Sequence, residues 1–169
     1  MTAPNMRLAG RPGHGRAASN TVSVMSTALY TVGYEGRSLD EVLKALEGAK
    51  VRRLVDVREL PLSRRRGFSK TALSEALAAV GIEYVHVRPL GNPKENRDRY
   101  RAGDVEGGAE VFRRRLANGS RSALLELAAS VGEDAACLMC FERDHAVCHR
   151  SVIVDAVREL RPELSIRHL

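Results

Sequence analysis

The sequence predicts a single three-layer α/β domain of the Rossmann-like class, with a mostly parallel sheet of four or five strands. Short apolar runs alternate with amphipathic helical patterns from Leu29 to the C-terminus. This alternation is typical of βαβ units, whose consecutive strands run parallel. The chain has 169 residues and no internal repeat, and a chain of this length suits one hydrophobic core.

The first elements are clear in the sequence. "ALYTVG" predicts a strand that ends at Gly33. In the following "SLDEVLKALEGAK", Ser38 and Glu41 form an S-x-x-E capping box, and the apolar residues recur at helical spacing, so a helix is predicted up to Gly48. "VRRLVDV" (51–57) predicts a second strand, and its apolar end indicates that both of its faces are covered.

The remaining elements alternate in the same way. In chain order the patterns predict a helix from Ser69 to Ala79, a strand over 82–87, helices over 106–117 and 121–131, a strand over 134–141, a helix over 149–160 and a last short strand in "LSIRHL". Residues 88–104 carry many charges without a clear period, so they are predicted to be a long loop.

Residues 1–27 differ in composition from the rest of the chain. They hold three arginines and no acidic residue, and they are rich in small and polar residues. This predicts a disordered basic tail before a domain over 28–169. Met25 opens the first stretch that has the pattern of a folded segment. The alternative is therefore that translation of the native protein starts at Met25 and that the tail is not part of it. The tail supplies half of the formal charge of +6, and the remainder is too small to identify a partner.

The composition of the chain indicates the cellular compartment of the protein. No apolar run is long enough to span a membrane, and arginines interrupt the N-terminal segment where a secretory signal would need a continuous apolar core. The three cysteines are an odd number in a chain long enough to fold without disulfides. They therefore indicate free thiols or ligands in a reducing compartment, and we predict a cytoplasmic protein without a membrane partner.

Polar clusters follow three of the predicted strands. They are Gly33 to Arg37, Asp56 to Phe68 and Cys140 to Arg150. Parallel strands present their carboxyl ends at one edge of the sheet, where ligands of such folds bind. We therefore expect the three clusters to lie close together.

The cluster after the second strand indicates a phosphate site. Arg58 and Arg64 offer planar guanidinium donors, Ser63 adds a hydroxyl, and the predicted helix start at Ser69 adds amide donors. Asp56 is a candidate to orient a neighbouring catalytic group. The alternatives are a solvated basic loop and a simple ion pair between Asp56 and Arg58.

The cluster after the fourth strand holds the candidate reacting groups. Cys140 and Cys148 are candidate nucleophiles, and the helix start with His149 would lower the pKa of the Cys148 thiol. Glu142 and His149 are candidate acid–base groups, and Arg150 is a candidate phosphate ligand. The alternative is that Cys148 only packs against the sheet while Arg150 forms a salt bridge.

No metal site and no cofactor are predicted. The C-x-x-C of Cys137 and Cys140, with Cys148 and His149, superficially offers four zinc ligands. However, side chains in a strand alternate faces, so Cys137 and Cys140 point in opposite directions. The turn after Gly33 is too short for G-x-G-x-x-G, and the chain has no P-loop. Gly33 still allows close backbone approach to a ligand, and Tyr34 either stacks on a base or covers the sheet edge.

These motifs together resemble the bacterial and archaeal family catalogued as domain of unknown function 488. The resemblance runs from about Leu29 to Leu169. The residues that carry it are Gly33, Asp56, Arg58, Pro61, Ser63, Arg64, Phe68, Gly81, Tyr84, Leu90, Gly91, Cys140, Glu142, Cys148, His149 and Arg150. It implies a small Rossmann-like protein with a site at these positions, and no established reaction.

Three functional hypotheses follow. The first is an enzyme acting on a phosphate-bearing substrate, either a nucleotide or a nucleic acid. The second is a non-enzymatic nucleic-acid-binding module that uses the basic loop. The third is a thiol or sulfur-transfer protein, because the Asp56-Val57-Arg58 segment also resembles rhodaneses; the long spacing from Cys140 to Arg150 departs from their thiol loop.

Overall fold

The computed structural model describes residues 28–132 and 135–169, which alternate between strands and helices as predicted. The strands are β1 (Ala28–Gly33), β2 (Arg53–Asp56), β3 (Glu83–His86), β4 (Ala136–Cys140) and β5 (Ser165–His168). The helices are α1 (Leu39–Gly48), α2 (Lys70–Ala79), α3 (Lys94–Arg101), α4 (Val105–Asn118), α5 (Arg121–Ser130) and α6 (Arg150–Leu160), with a 3₁₀ turn at Arg88–Leu90. The predicted tail over 1–27 and the predicted start of β4 at Asp134 lie outside the described residues.

Within the described residues, the strands form one five-stranded sheet in the order β3-β2-β4-β1-β5. Every neighbouring pair is parallel. β4 lies in the centre, and all five of its residues are buried. The predicted α/β class is therefore confirmed, and the last short strand in "LSIRHL" is confirmed as β5 beside β1.

Helices cover both faces of the sheet and divide the core into two clusters. One cluster contains α1 and α2 through residues such as Leu46 and Leu77. The other contains α4, α5 and α6 through residues such as Phe112, Leu127 and Ile153. This arrangement confirms three layers. Burial of both faces explains why the strands read as nearly continuous apolar runs.

The helix starts differ in how their backbone amides are satisfied. Ser38 and Glu41 cap α1 reciprocally, with Ser38 N–H donating to Glu41 Oε2 at 2.7 Å, so the predicted capping box is confirmed. Ser69 precedes α2 but its side chain accepts no capping hydrogen bond. α2 instead depends on Leu73 and Leu77, which are fully buried, because packing of an apolar face stabilises protein helices more than capping does.

The prediction of a long loop over 88–104 is wrong. This segment contains the 3₁₀ turn and α3. Its sequence has almost no apolar stripe, since α3 attaches through a polar contact: the Asn96 side-chain amide is buried and donates to Asn92 Oδ1 and to Gly108 O, both at 2.9 Å. An ion pair from Lys94 to Asp98 at 2.7 Å supports the exposed face. Hydrophobic periodicity carries no signal for such a helix.

In the part of the chain that the structure describes, no helix combines the length and the apolar character needed to cross a membrane.

Candidate active site at the carboxyl edge of the sheet

The connections that follow β1, β2 and β4 meet at one edge because β4 lies between the other two strands. Backbone hydrogen bonds extend past the strand ends: Glu35 N–H donates to Phe141 O at 2.8 Å, and Val57 N–H donates to Met139 O at 3.1 Å. The three polar clusters are therefore brought together, as the parallel sheet led us to expect.

Two thiols, a carboxylate and an imidazole form a compact cluster at this edge. Oε2 of Glu142 accepts hydrogen bonds from Cys140 Sγ and from Cys148 Sγ, each at 3.1 Å. Nδ1 of His149 lies 3.9 Å from Cys140 Sγ and 3.7 Å from Cys148 Sγ. Cys140, Cys148 and His149 are all buried. Four of the predicted catalytic residues thus share one small volume.

The imidazole of His149 is held in a fixed orientation. Its Nε2 lies 3.0 Å from the carbonyl oxygen of Val57, which can only accept. Nε2 therefore carries the proton of the neutral ring, and Nδ1 turns its lone pair to the thiols. The ring of Phe112 packs edge-on against it with 5.0 Å between centroids.

Arg150 is buried behind this cluster. Its Nε donates to Cys148 Sγ at 3.4 Å, and its Nη2 donates to the backbone carbonyl of Glu142 at 2.5 Å. Arg150 is 1% exposed and does not line the pocket described below. Its guanidinium group therefore contacts the Cys148 sulfur and the loop after β4, while Nη1 has no hydrogen-bond partner among the described residues. The role of Arg150 as a phosphate ligand stays a prediction.

The two thiols differ in acidity. Burial opposes ionisation of Cys148, but the hydrogen bond from Cys140 and the charges of His149 and Arg150 outweigh it, so the pKa of Cys148 lies well below its usual value. The hydrogen bond to Cys148 and burial raise the pKa of Cys140. Cys148 is thus the more acidic thiol of the pair, in the direction that the sequence indicated.

The carboxyl group of Glu142 and the imidazole of His149, next to Cys148, also have shifted pKa values. Burial, followed by the nearby Cys148, raises the pKa of the Glu142 carboxyl. Burial would lower the pKa of His149, but the charge of Cys148 outweighs it and raises this pKa. Both shifts favour the protonated forms of Glu142 and His149.

Cys137 is separate from this cluster. It packs in the core cluster on the α1 and α2 side of the sheet, whereas Cys140 and Cys148 belong to the cluster on the opposite side. Burial raises the pKa of the Cys137 thiol. The period-two argument for the C-x-x-C is confirmed, and Cys137 is a small core residue.

Asp56 and Arg58 form a buried ion pair below the site. Arg58 donates to both Asp56 carboxylate oxygens, with Nη2 to Oδ2 at 2.6 Å, and Tyr84 OH donates to the same Oδ2 at 2.7 Å. Arg58 Nη1 also donates to Tyr34 OH at 3.1 Å and to Phe68 O at 2.8 Å. Burial would lower the pKa of Arg58, but Asp56 outweighs it and raises this pKa.

This network gives Asp56 and Arg58 a structural role. Each side-chain nitrogen of Arg58 already donates to a group of the domain. The role of Arg58 as a phosphate ligand stays a prediction. Asp56 is fully buried and orients Arg58 rather than a reacting group. The alternative of a simple ion pair between them is the one the structure supports.

A pocket of about 380 Å³ opens directly above the cluster. Cys140, Glu142 and His149 lie on its wall. Its other lining residues are Tyr34, Arg58, Glu59, Leu60, Leu62, Ser63, Arg64, Arg65, Asn92, Arg97, Arg101 and Phe141. The predicted Ser63 and Arg64 thus face the same space as the predicted reacting groups.

Sequence reasoning missed Arg97 and Arg101 as pocket residues. Arg97 and Arg101 belong to α3, the helix that the sequence did not predict. They lie four residues apart, a spacing that places two side chains on one helix face. Recognition of α3 would have identified them.

Tyr34 and Gly33 take structural positions at this edge. Tyr34 is 2% exposed, and its ring stacks on Phe68 with 4.2 Å between centroids. Of the two roles that the sequence offered for Tyr34, stacking on a base or covering the sheet edge, the structure supports the second. At Gly33, an added Cβ would lie 1.8 Å from Glu142 O. Gly33 therefore makes room for the backbone of the loop that carries Glu142.

We expect Gly33→Ala to displace that loop. The methyl group must push away the Glu142 backbone, which lowers the free energy of unfolding by about 1–3 kcal/mol. Gly48→Ala is the matched control, because nothing lies within 4 Å of its added Cβ. Chemical denaturation of both variants tests this, and an equal stability for Gly33→Ala and Gly48→Ala would refute the steric role.

The fold and the site define a Rossmann-like α/β protein with a thiol-bearing pocket at the carboxyl edge of its sheet. The family described as "Domain of unknown function DUF488" matches residues 38–157. The match covers more than half of the chain, and the chain belongs to this family. No curated protein and no solved structure matches the chain.

Proposed function

We propose that this protein is a cytoplasmic enzyme that acts on a phosphate-bearing substrate, a nucleotide or the end of a nucleic acid strand. The main observation behind this proposal is that one pocket combines arginine side chains with the cluster of Cys140, Glu142 and His149. Free thiols of this kind suit a reducing compartment.

The arginines of the pocket support the substrate class. Arg64, Arg65, Arg97 and Arg101 approach the same space from two elements, the loop after β2 and helix α3. Guanidinium groups match phosphate oxygens with paired N–H donors. Among the described residues, Glu59 and Glu142 are the acidic groups that line this space, and Glu59 pairs with Arg97 at 3.7 Å. Arginines outnumber these acids in the lining, so the pocket favours an anion.

The remaining lining residues favour an organic group attached to that phosphate. Leu60, Leu62 and Phe141 are exposed by 50%, 73% and 37% and border the pocket. Apolar walls with a few convergent polar groups are typical of small-molecule sites. A nucleoside fits such a wall, with its phosphate at the arginines and the reacting bond at the cluster.

Glu142 is the group that we assign to proton transfer. Its carboxylate contacts both thiols and lines the pocket. A carboxylate within hydrogen-bond reach of a reacting group serves as general base or acid. Cys140 is the thiol that faces the same space, whereas Cys148 lies behind it.

Arg64→Ala is expected to weaken phosphate binding. Loss of one charge-assisted contact corresponds to about 1.5–3 kcal/mol, or roughly 10–100-fold in affinity. Nucleoside mono-, di- and triphosphates are screened by thermal shift, and dissociation constants of those that stabilise the protein are measured by calorimetry. Arg66→Ala is the matched control, because Arg66 lies in the same loop but lines a different depression.

The screen also separates the alternatives. Equal affinity of the Arg64→Ala and Arg66→Ala variants would contradict a phosphate site in this pocket. A nucleic-acid-binding module would bind an oligonucleotide in a salt-dependent way and retain that binding in Cys140→Ser and Cys148→Ser, with no product formed. Turnover that is lost in these variants supports the enzyme.

A further inference from the structure

We propose that Cys140, Cys148 and His149 form a zinc-binding site at the inner end of the pocket. Their Sγ, Sγ and Nδ1 atoms lie within 4.8 Å of one another. Two thiolates and an imidazole are a ligand set that zinc prefers. This inference does not depend on which substrate the arginines bind.

The spacing of the donor atoms suits a tetrahedral ion. With Zn–S bonds of about 2.3 Å and a Zn–N bond of about 2.1 Å, a sulfur and a nitrogen ligand lie about 3.6 Å apart in tetrahedral geometry. His149 Nδ1 lies 3.7 Å from Cys148 Sγ and 3.9 Å from Cys140 Sγ. Both sulfur–nitrogen distances exceed the tetrahedral value by at most about 0.3 Å.

The groups around the ligands are already arranged as in a metal site. A histidine that binds a metal usually donates its other ring N–H to a carbonyl or carboxylate oxygen. His149 makes this contact through Nε2 to Val57 O at 3.0 Å, which leaves Nδ1 free of its own proton. Arg150 Nε donates to Cys148 Sγ at 3.4 Å, as expected beside a thiolate ligand.

The charge of the buried cluster is preserved when the ion enters. Binding of Zn²⁺ releases one proton from each cysteine thiol to solvent, so two positive charges enter and two leave. With Arg150 and Glu142 ionised, two thiolates and the ion give a neutral group. A buried site of this kind avoids an uncompensated charge.

The site is open on one side. Oε2 of Glu142 lies 3.1 Å from both sulfur atoms, and Glu142 lines the pocket. The fourth position of the ion is therefore next to Glu142 and accessible from the pocket. Three protein ligands with an open position are characteristic of catalytic zinc, whereas structural zinc has four.

The sequence argument against zinc counted Cys137 as one of four ligands. It excluded Cys137 correctly, because Cys137 lies on the other face of β4. The remaining three ligands come from the end of β4 and from the start of α6. The loop between them folds back, and no spacing rule for a C-x-x-C describes that geometry.

Metal analysis of the full chain tests this inference. The protein is purified without chelator, and its zinc content is measured by mass spectrometry; we expect about one zinc ion per chain. Cys140→Ser and Cys148→Ser are expected to lose stoichiometric zinc, and Cys137→Ala is the matched control that retains it. A zinc content near zero in the wild type, or equal in all these variants, would overturn the site.

Cobalt provides a second readout that does not depend on activity. Apo protein prepared with a chelator under reducing conditions is titrated with Co²⁺, and we expect thiolate-to-cobalt charge-transfer absorption together with the visible bands of tetrahedral cobalt. Absence of these bands, or their persistence in Cys140→Ser, would contradict the ligand set. Nucleotide binding of the same samples shows separately whether the proposed function holds.

Thiol titration distinguishes a disulfide between Cys140 and Cys148 from zinc binding by these two cysteines. If Cys140 and Cys148 form a disulfide in the protein as purified, only Cys137 reacts with a thiol reagent after denaturation with a chelator, and the zinc site is refuted. If they bind zinc, all three thiols react after denaturation with a chelator.

Discussion

Asp56→Asn lowers the free energy of unfolding by about 3–5 kcal/mol, the range for removing one partner of a buried ion pair. The substitution leaves the Arg58 guanidinium group buried without its counter-ion, because Asp56 is the carboxylate that it contacts at 2.6 Å. An amide also presents donors where Arg58 and Tyr84 already donate. In a chain of this size the melting temperature should fall by roughly 6–20 °C.

The effect should reach the active site as well. Asp56 fixes the start of the loop after β2 through Arg58 N–H, which donates to Asp56 Oδ1 at 3.0 Å. Val57, between these two residues, provides the carbonyl that orients His149. We therefore expect the variant to bind zinc or cobalt more weakly even below its melting temperature.

Glu83→Gln is the matched control for Asp56→Asn. Glu83 pairs with Arg53 at 2.6 Å on the neighbouring strand, but its side chain is 56% exposed. Exposed ion pairs contribute about 0–1 kcal/mol. Comparable losses of stability in the two variants, measured by denaturant titration, would show that burial of the Asp56–Arg58 pair is not what makes it important.

The fold could be predicted from the sequence because burial of a parallel sheet leaves a strong pattern. Strands such as β4 ("ACLMC") are apolar on both faces, and helices such as α1 have one apolar stripe and a capping box. Helix α3 left no such pattern. Its inward residue is Asn96, which attaches the helix through hydrogen bonds, and hydrogen bonding has no sequence period.

The candidate site was predicted at the level of the sheet edge but not of individual contacts. Parallel strands require the ends of β1, β2 and β4 to meet, so the position of the three polar clusters at one edge of the sheet followed from topology. The topology did not predict which arginines are exposed to the pocket and which are buried. Arg58 and Arg150 share their residue type with Arg64, yet the first two are buried and bonded within the domain, and tertiary packing decides this difference.

The largest effect on activity is expected for Glu142→Gln. Glutamine keeps the shape and an oxygen acceptor for the thiols, but it cannot take or give the proton that we assign to Glu142. Removal of a general acid–base group lowers turnover by about 10²–10⁴-fold. Nucleotide affinity should change little, because the phosphate contacts assigned to Arg64 and its neighbours remain. Turnover is followed by chromatography of the nucleotides that stabilise the wild type.

Asp144→Asn is the matched control for this change. Asp144 lies in the same loop and loses the same charge, but it is exposed and does not line the pocket. An asparagine there still accepts the hydrogen bond from Ala146 N–H that Asp144 Oδ1 accepts at 2.9 Å. Full turnover in Glu142→Gln would remove Glu142 from the reaction. Because Glu142 is not among the three proposed zinc ligands, Glu142→Gln with its zinc retained and its turnover lost separates proton transfer from metal binding.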